Sequence, residues 1–128
     1  MVRDRTAEPT EGIYNVCYLN AFQAQPGEEA QWTIDGHDLS LRDRAGNQVV
    51  DRDWDEVLLD TSSPDRSSAI ARVVTEWIAD CGRAGFRAIE LDNLDSWSRS
   101  DDLLTPEDNL ALASTLVAAA HQLGLAVA

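Results

Sequence analysis

The sequence predicts an α/β fold, a partial (β/α)8 barrel of parallel strands with helices on their outer face. Two helix patterns lie in the second half of the chain, and an apolar strand pattern follows each of them. Strands joined by a crossover of helix length pair in parallel. A complete barrel of this type needs about 250 residues, so we expect residues 1–128 to form a single partial barrel domain.

The first half of the chain predicts strands and irregular connections. Residues 1–11 are polar and charged, and we expect them to be flexible. The segment 12–20, GIYNVCYLN, is rich in aromatic and β-branched residues and predicts a strand. Turn signals then predict short irregular pieces or a small hairpin. A further strand is predicted at Val57 to Asp60, and we expect it to join the parallel sheet.

Both predicted helices begin with a hydroxyl residue followed by proline, at Ser63-Pro64 and Thr105-Pro106. The hydroxyl caps the helix, and proline suits the first helical position because its missing N–H would have no partner there. The first helix should run to about Arg83, where Gly82 or Gly85 ends it, and the second to about Leu123. The apolar stripe of the first helix consists of Ile70, Val73, Val74, Trp77, Ile78 and Cys81.

Acidic side chains gather at the end of the strand predicted for residues 86–92. Side chains alternate along a strand, so Glu90 and Asp92 share one face, while Ile89 and Leu91 face the helices. The carboxyl ends of barrel strands hold the active site. Because two carboxylates can supply both an acid and a base, we predict that Glu90 and Asp92 are catalytic.

Turn formation is the competing interpretation of these acids. For the E-x-D-N motif alone, capping of a turn by Asp92, Asn93 and Asp95 has about equal weight. Asp60 ends the preceding predicted strand in the same way. Three acids on adjacent strand ends favour a site over turn chemistry.

Two aromatic residues and two histidines are further candidates. Tyr18 and Trp97 have flat apolar surfaces that can stack on sugars, although aromatic residues near strand ends more often pack in the core. We interpret His37 as a loop residue and His121 as structural. No phosphate loop, H-E-x-x-H motif or calcium loop occurs, so we predict no cofactor and no metal.

The charge of the chain limits its partners. The net charge is −13 and the pI is about 4.2, which argues against nucleic acid as a partner. Composition bias or solubility is the favoured explanation of this charge. The alternative is that an acidic surface attracts a cationic ligand such as an amino-sugar polymer. We see no signal peptide and no long apolar run, so no membrane association is predicted.

The two cysteines, Cys17 and Cys81, show no spacing typical of zinc ligands. Each lies within an apolar pattern. We expect two buried free thiols, with a disulfide as the less favoured alternative.

Four segments of the chain carry a family pattern: GIYNVCYLNAFQ, LLDTSSP, GFRAIELDNLDSW and LLTPEDNLALASTLVAAAHQLGLAVA. Together they resemble glycoside hydrolase family 114, the endo-α-1,4-polygalactosaminidases. The most specific element is G-F-x-x-x-E-x-D-N-x-D, followed downstream by A-H-x-x-G-L-A. The resemblance covers nearly all of the chain from Gly12. It implies a (β/α)8 barrel of which this chain supplies the third to fifth strands and the start of the sixth.

The resemblance also implies roles for individual residues. Asp92 would be one of two catalytic carboxylates, as nucleophile or charge stabiliser, and the general acid would be a glutamate beyond Ala128. The sugar subsite would be shaped by Glu90, Asp60 and Asn93. We also predict that Tyr18, Asn20, Asp95 and Trp97 bind substrate.

The implied substrate is an α-1,4-linked galactosamine polymer. Because the resemblance places the partner glutamate outside the chain, we expect little or no activity from the 128 residues alone. The alternative is a non-catalytic carbohydrate-binding or interaction module derived from such a barrel. Open sheet edges would also favour self-association.

Overall fold

The computed structural model describes the whole chain, residues 1–128, as nine strands and two long helices. Short 3₁₀ turns lie at Glu29–Trp32 and Ser96–Arg99. No helix is long and apolar enough to span a membrane. The elements are β1 (Val2–Asp4), β2 (Val16–Asn20), β3 (Gln23–Ala24), β4 (Thr33–Ile34), β5 (His37–Asp38), β6 (Val50–Asp51), β7 (Glu56–Leu58), α1 (Pro64–Ala84), β8 (Ala88–Asp92), α2 (Pro106–Gln122) and β9 (Ala126–Val127).

Four strands form a parallel sheet in the order β1-β2-β8-β9. The apolar side chains of β2 and β8 on one face, Cys17, Leu19 and Ile89, join a core with buried residues of α1 and α2. The two helices also pack against each other. The predicted parallel strands with helices on their outer face are therefore confirmed. Strands β1 and β9 are the edges of this sheet, and self-association through such edges stays a prediction.

Both helices begin and end close to the predicted positions. The Ser63 hydroxyl accepts a hydrogen bond from the backbone N–H of Arg66, and Thr105 and Asp108 form a capping box at α2. Helix α1 ends before Gly85, whose φ of 102° is a left-handed conformation that residues with a side chain rarely adopt. This requirement selects Gly85 rather than Gly82 as the end of the helix.

The segment between β2 and α1 is an antiparallel insertion. Strand β7 pairs antiparallel with β3 and β6, in a separate three-stranded sheet. The prediction that Val57 to Asp60 joins the parallel sheet is therefore wrong. The physical reason is connection length: only residues 52–55 separate β6 from β7, and a turn this short joins antiparallel neighbours. The predicted small hairpin is confirmed as β4 and β5.

The amino-terminal segment also differs from expectation. Part of the stretch 1–11, which we expected to be flexible, forms β1 and pairs in parallel with β2. The terminal amino group of Met1 donates to the carbonyl oxygen of Tyr14 at 2.6 Å. Strand β1 is a short edge strand held by backbone hydrogen bonds. It needs no apolar side chains for this pairing, so its polar sequence gives no signal of a strand.

Cys17 and Cys81 form a disulfide, so the expectation of free thiols is wrong. Their Cα atoms lie 6.2 Å apart, and 64 residues separate them in the sequence. Cys17 lies on the helix-facing side of β2, and the final turns of α1 bring Cys81 over it. The apolar pattern predicted that both cysteines are buried, as they are. The pattern could not predict that they lie close together in the fold.

Candidate active site

The candidate site lies on the face of β2 and β8 that points away from the helices. The register pairs Tyr18 with Glu90 and Asn20 with Asp92. The Tyr18 hydroxyl donates a hydrogen bond to Oδ2 of Asp92 at 2.5 Å. Because side chains alternate along both strands, these four predicted site residues share one face at the carboxyl end of the sheet.

Tyr18 is held as a neutral hydrogen-bond donor. Burial, the hydrogen bond to Asp92, and the negative charges of Asp92, Glu56 and Glu90 all raise the pKa of the Tyr18 phenol above its ordinary value. A neutral phenol has one O–H to donate, and here it goes to Asp92. The contact therefore fixes the position of the Asp92 carboxyl group as the acceptor.

Strand β8 ends where Asn93 adopts a left-handed conformation, with φ of 64°. Asparagine is among the few non-glycine residues that tolerate this region. The Asn93 side chain turns back across the sheet, and Nδ2 donates to Oδ1 of Asn20 at 2.8 Å. Both predicted substrate-binding amides therefore have protein partners, and a direct sugar contact for either one stays a prediction.

Sequence reasoning missed a buried acid, Glu56, which lies in β7 of the insertion and is only 9% exposed. Its carboxylate accepts hydrogen bonds from Asn20 Nδ2 at 3.0 Å and from Gln23 Nε2 at 2.8 Å. Gln23 interrupts the apolar run AFQA, which is the signal that could have identified it. Glu56 only precedes the apolar run VLL, so its sequence position carries no comparable signal.

An ion pair that sequence reasoning also missed extends this network. Nε of Arg99 lies 3.1 Å from Oδ2 of the buried Asp51, and Nη2 donates to Oε1 of Gln23 at 3.0 Å. Arg99 also donates to the exposed carboxylate of Asp95 at 3.1 Å, and this hydrogen bond lowers the pKa of Asp95. Asp95 is thus tied to the buried network through a single cation.

An open cavity of about 480 Å³ lies beside the end of β8. Its polar and aromatic lining comes from Asp92, Asn93, Asp95 and Trp97. Trp97 is 38% exposed, which leaves part of its ring free for contact with a ligand. Four of the predicted site residues therefore border one solvent-accessible space.

The sequence-family model of glycoside hydrolase family GH114 matches residues 1–128 of this chain. The chain belongs to family GH114. The match extends through the amino-terminal strand, beyond the segments that first indicated the family.

Solved structures share the fold of this GH114 chain. Aspergillus fumigatus Ega3, crystallised with galactosamine, is 22% identical with a TM-score of 0.68. The glycoside hydrolase domain of Pseudomonas aeruginosa PelA is 19% identical with a TM-score of 0.52, and the Thermus thermophilus α-galactosidase TtGalA is 16% identical with a TM-score of 0.56. The likeness identifies the fold as part of a (β/α)8 barrel. No curated protein sequence matches the chain at a significant level.

The GH114 chain corresponds to part of each of these structures. In each comparison 91% of this chain is covered, but the match spans 42% of the Ega3 and PelA chains and 25% of TtGalA. Four parallel strands are half of the eight in a complete barrel, which agrees with the share of 42% for Ega3 and PelA.

In this GH114 chain Asp60 is separate from the acids of β8. Its Oδ1 accepts hydrogen bonds from the backbone N–H and the hydroxyl of Ser62, at 3.0 and 2.5 Å. Its Oδ2 lies 3.4 Å from Nε of Arg66. The prediction that Asp60 ends a neighbouring strand of the same sheet is wrong, because β7 belongs to the insertion. Asp60 forms the turn that leads into α1, and its part in sugar binding stays a prediction.

Proposed function

We propose that this chain is the part of a GH114 glycoside hydrolase that carries the catalytic aspartate, Asp92, and that the whole enzyme hydrolyses an α-1,4-linked galactosamine-type polysaccharide. The observation that carries the proposal is the Tyr18–Asp92 hydrogen bond at the carboxyl end of β8. Barrel enzymes place their catalytic groups at these strand ends. The cavity beside Asp92 offers room for a sugar ring.

Glycoside hydrolysis needs two carboxyl groups with different roles. The general acid protonates the oxygen of the leaving sugar, while an ionised carboxylate stabilises or attacks the positively charged anomeric carbon. Asp92 suits the second role because the Tyr18 hydroxyl stabilises its negative charge. We assign the general acid to a glutamate from a later strand of the barrel, outside residues 1–128. Glu90 lies on the same face of β8, and its predicted catalytic role stays a prediction.

Charge supports an amino-sugar substrate. Galactosamine units carry an ammonium group near neutral pH, and the chain has a net charge of −13. An acidic surface raises the local concentration of a cationic polymer. The structural neighbour Ega3 was crystallised with galactosamine, which agrees with this substrate class.

The deciding experiment is Asp92→Asn in the full-length protein. We expect kcat for hydrolysis of α-1,4-galactosamine polymer to fall by roughly 10²–10⁴-fold, measured by release of reducing ends, with an unchanged circular dichroism spectrum. Asp80→Asn is the matched control, because Asp80 is an exposed acid on α1. An Asp92→Asn variant with full activity would contradict the assignment.

Measurements on the 128-residue chain alone distinguish an enzyme fragment from a carbohydrate-binding module. We expect little or no turnover, because the general acid is assigned to residues outside the chain. Calorimetric titration with galactosamine oligomers then distinguishes the alternatives. Saturable binding without turnover favours a carbohydrate-binding module, whereas hydrolysis by the chain alone overturns the need for an external glutamate.

A further inference from the structure

Glu56 is a buried carboxylate that accepts hydrogen bonds from amide groups and has no paired cation. Three side-chain amides surround it, from Asn20 at 3.0 Å, Gln23 at 2.8 Å and Asn93 at 3.4 Å. The network's one cation, Arg99, pairs with Asp51 and Asp95 instead. Burying a carboxylate without a paired cation is costly, so the arrangement calls for a role beyond packing.

A carboxylate fixes the orientation of the amides that contact it. It accepts hydrogen bonds but cannot donate them, so each neighbouring amide must turn its NH₂ group towards Glu56. The amide oxygens are then available elsewhere. Those of Gln23 and Asn93 accept from Arg99 at 3.0 and 3.3 Å, and that of Asn20 accepts from Asn93 at 2.8 Å. Glu56 and Arg99 thus define one arrangement of all three amides.

Two of these amides flank Asp92. Asn20 is its partner across the β2–β8 pairing, and Asn93 follows it directly in a left-handed conformation. We propose that Glu56 is a positioning residue of the active site, which orients Asn20 and Asn93 and thereby fixes the position of Asp92. This inference rests on the proposed catalytic role of Asp92. It gives the antiparallel insertion a function, since the insertion brings Glu56 to the end of the parallel sheet.

The first test measures the amides directly in the 128-residue chain. In ¹⁵N-resolved NMR spectra, the side-chain NH₂ protons of Asn20 and Asn93 should exchange slowly with water. In Glu56→Gln we expect exchange at least about tenfold faster, because a neutral amide at position 56 permits flipped arrangements. Unchanged exchange rates and chemical shifts for both amides would overturn the proposal, whatever the chain's activity.

The second test measures catalysis by the full-length protein. We expect Glu56→Gln to lower kcat by roughly 10–100-fold, since misplacement of a reacting group is costly, with a smaller change in KM. Glu56→Asp, which retains the charge, should restore part of the loss. Asn15→Ala is the control, because it removes a buried amide at the opposite end of β2.

The outcomes distinguish this proposal from the proposed function. If Glu56→Gln lowers the melting temperature as Asn15→Ala does but leaves kcat of the folded enzyme at the wild-type value, Glu56 is merely structural and the proposal fails. If Asp92→Asn remains active, the proposed function fails, while the NMR experiment still decides whether Glu56 orients the amides.

Discussion

Two buried asparagines lie at opposite ends of β2, and their hydrogen bonds differ in kind. Asn15, 3% exposed, donates to the carbonyl oxygens of Thr10 and Ile13 at 2.8 and 2.9 Å. Asn20, 4% exposed, donates to the Glu56 carboxylate and accepts from the side chain of Asn93, which directly follows β8. The first amide closes a local loop, whereas the second connects the insertion to the parallel sheet.

The difference shows where fold and function are coupled. The hydrogen-bond partners of the Asn15 side chain lie within five residues of it, while those of the Asn20 side chain lie 36 and 73 residues away. A change at Asn15 should therefore affect stability alone. A change in the network around Asn20 should affect stability and the position of Asp92 together.

The largest loss of stability should follow from breaking the disulfide between Cys17 and Cys81. Cys17 lies between the two asparagines, so the cross-link stabilises both ends of β2. Reduction of a bridge that closes a 64-residue separation should lower the free energy of unfolding by about 4 kcal/mol in the chain-entropy description. Urea unfolding with and without dithiothreitol measures this. The Cys17→Ala/Cys81→Ala double variant should have the stability of the reduced protein and no response to the reductant.

A smaller loss of stability, confined to the network at the carboxyl end of β2, should follow from Arg99→Met. This variant leaves the Asp51 carboxylate, which is 5% exposed, without its cation. Removing one partner of a buried pair should lower the free energy of unfolding by about 3 kcal/mol, measured by urea unfolding.

Two variants outside the carboxyl-end network serve as controls for Arg99→Met. Asn15→Ala should cost about 1–2 kcal/mol, and Arg83→Met, which removes an exposed ion pair with Asp80, less than about 1 kcal/mol. Equal losses in all three variants would mean that the carboxyl-end network has no special energetic role.

The smallest effect should appear at alkaline pH. The pKa of Tyr18 is raised in the folded protein, so the unfolded chain loses this proton first as the pH rises. The contribution of Tyr18 to stability is therefore complete below pH about 10 and declines above it. The chain has no lysine and no free thiol, which leaves few other groups that titrate in this range.

Urea unfolding between pH 8 and 11 tests the prediction. Tyr18→Phe should remove most of the decline, whereas Tyr14→Phe, at an exposed position, should retain it. A decline of the same slope in both variants would show that Tyr18 is not its source.

Local patterns predicted much of the fold. The hydroxyl-proline pairs at Ser63 and Thr105 predicted both helix starts, and alternation along β8 predicted which side chains point away from the core. These features depend on neighbours within a few residues. The E-x-D-N motif likewise placed Asp92 at a strand end, where the structure has it.

Contacts between distant segments could not be predicted in this way. The Cys17–Cys81 disulfide, the antiparallel pairing of β7 and the burial of Glu56 all depend on how the insertion and α1 return to β2. Glu56 in particular has the sequence surroundings of a strand end, DEVLL, and only its partners at positions 20 and 23 reveal its environment. The residue pattern alone predicted a pair of acids at a strand end, and the family resemblance added the role proposed for Asp92.

The edge strands β1 and β9 suggest a use for this chain in protein engineering. Each presents unpaired backbone groups in parallel geometry, which are the groups through which a barrel wall continues. Under the proposed function, this geometry would let the chain serve as one half of a split enzyme. A second polypeptide bearing the remaining strands and the general acid could dock on both edges and complete the barrel, so that hydrolysis would report the association of two separately expressed pieces.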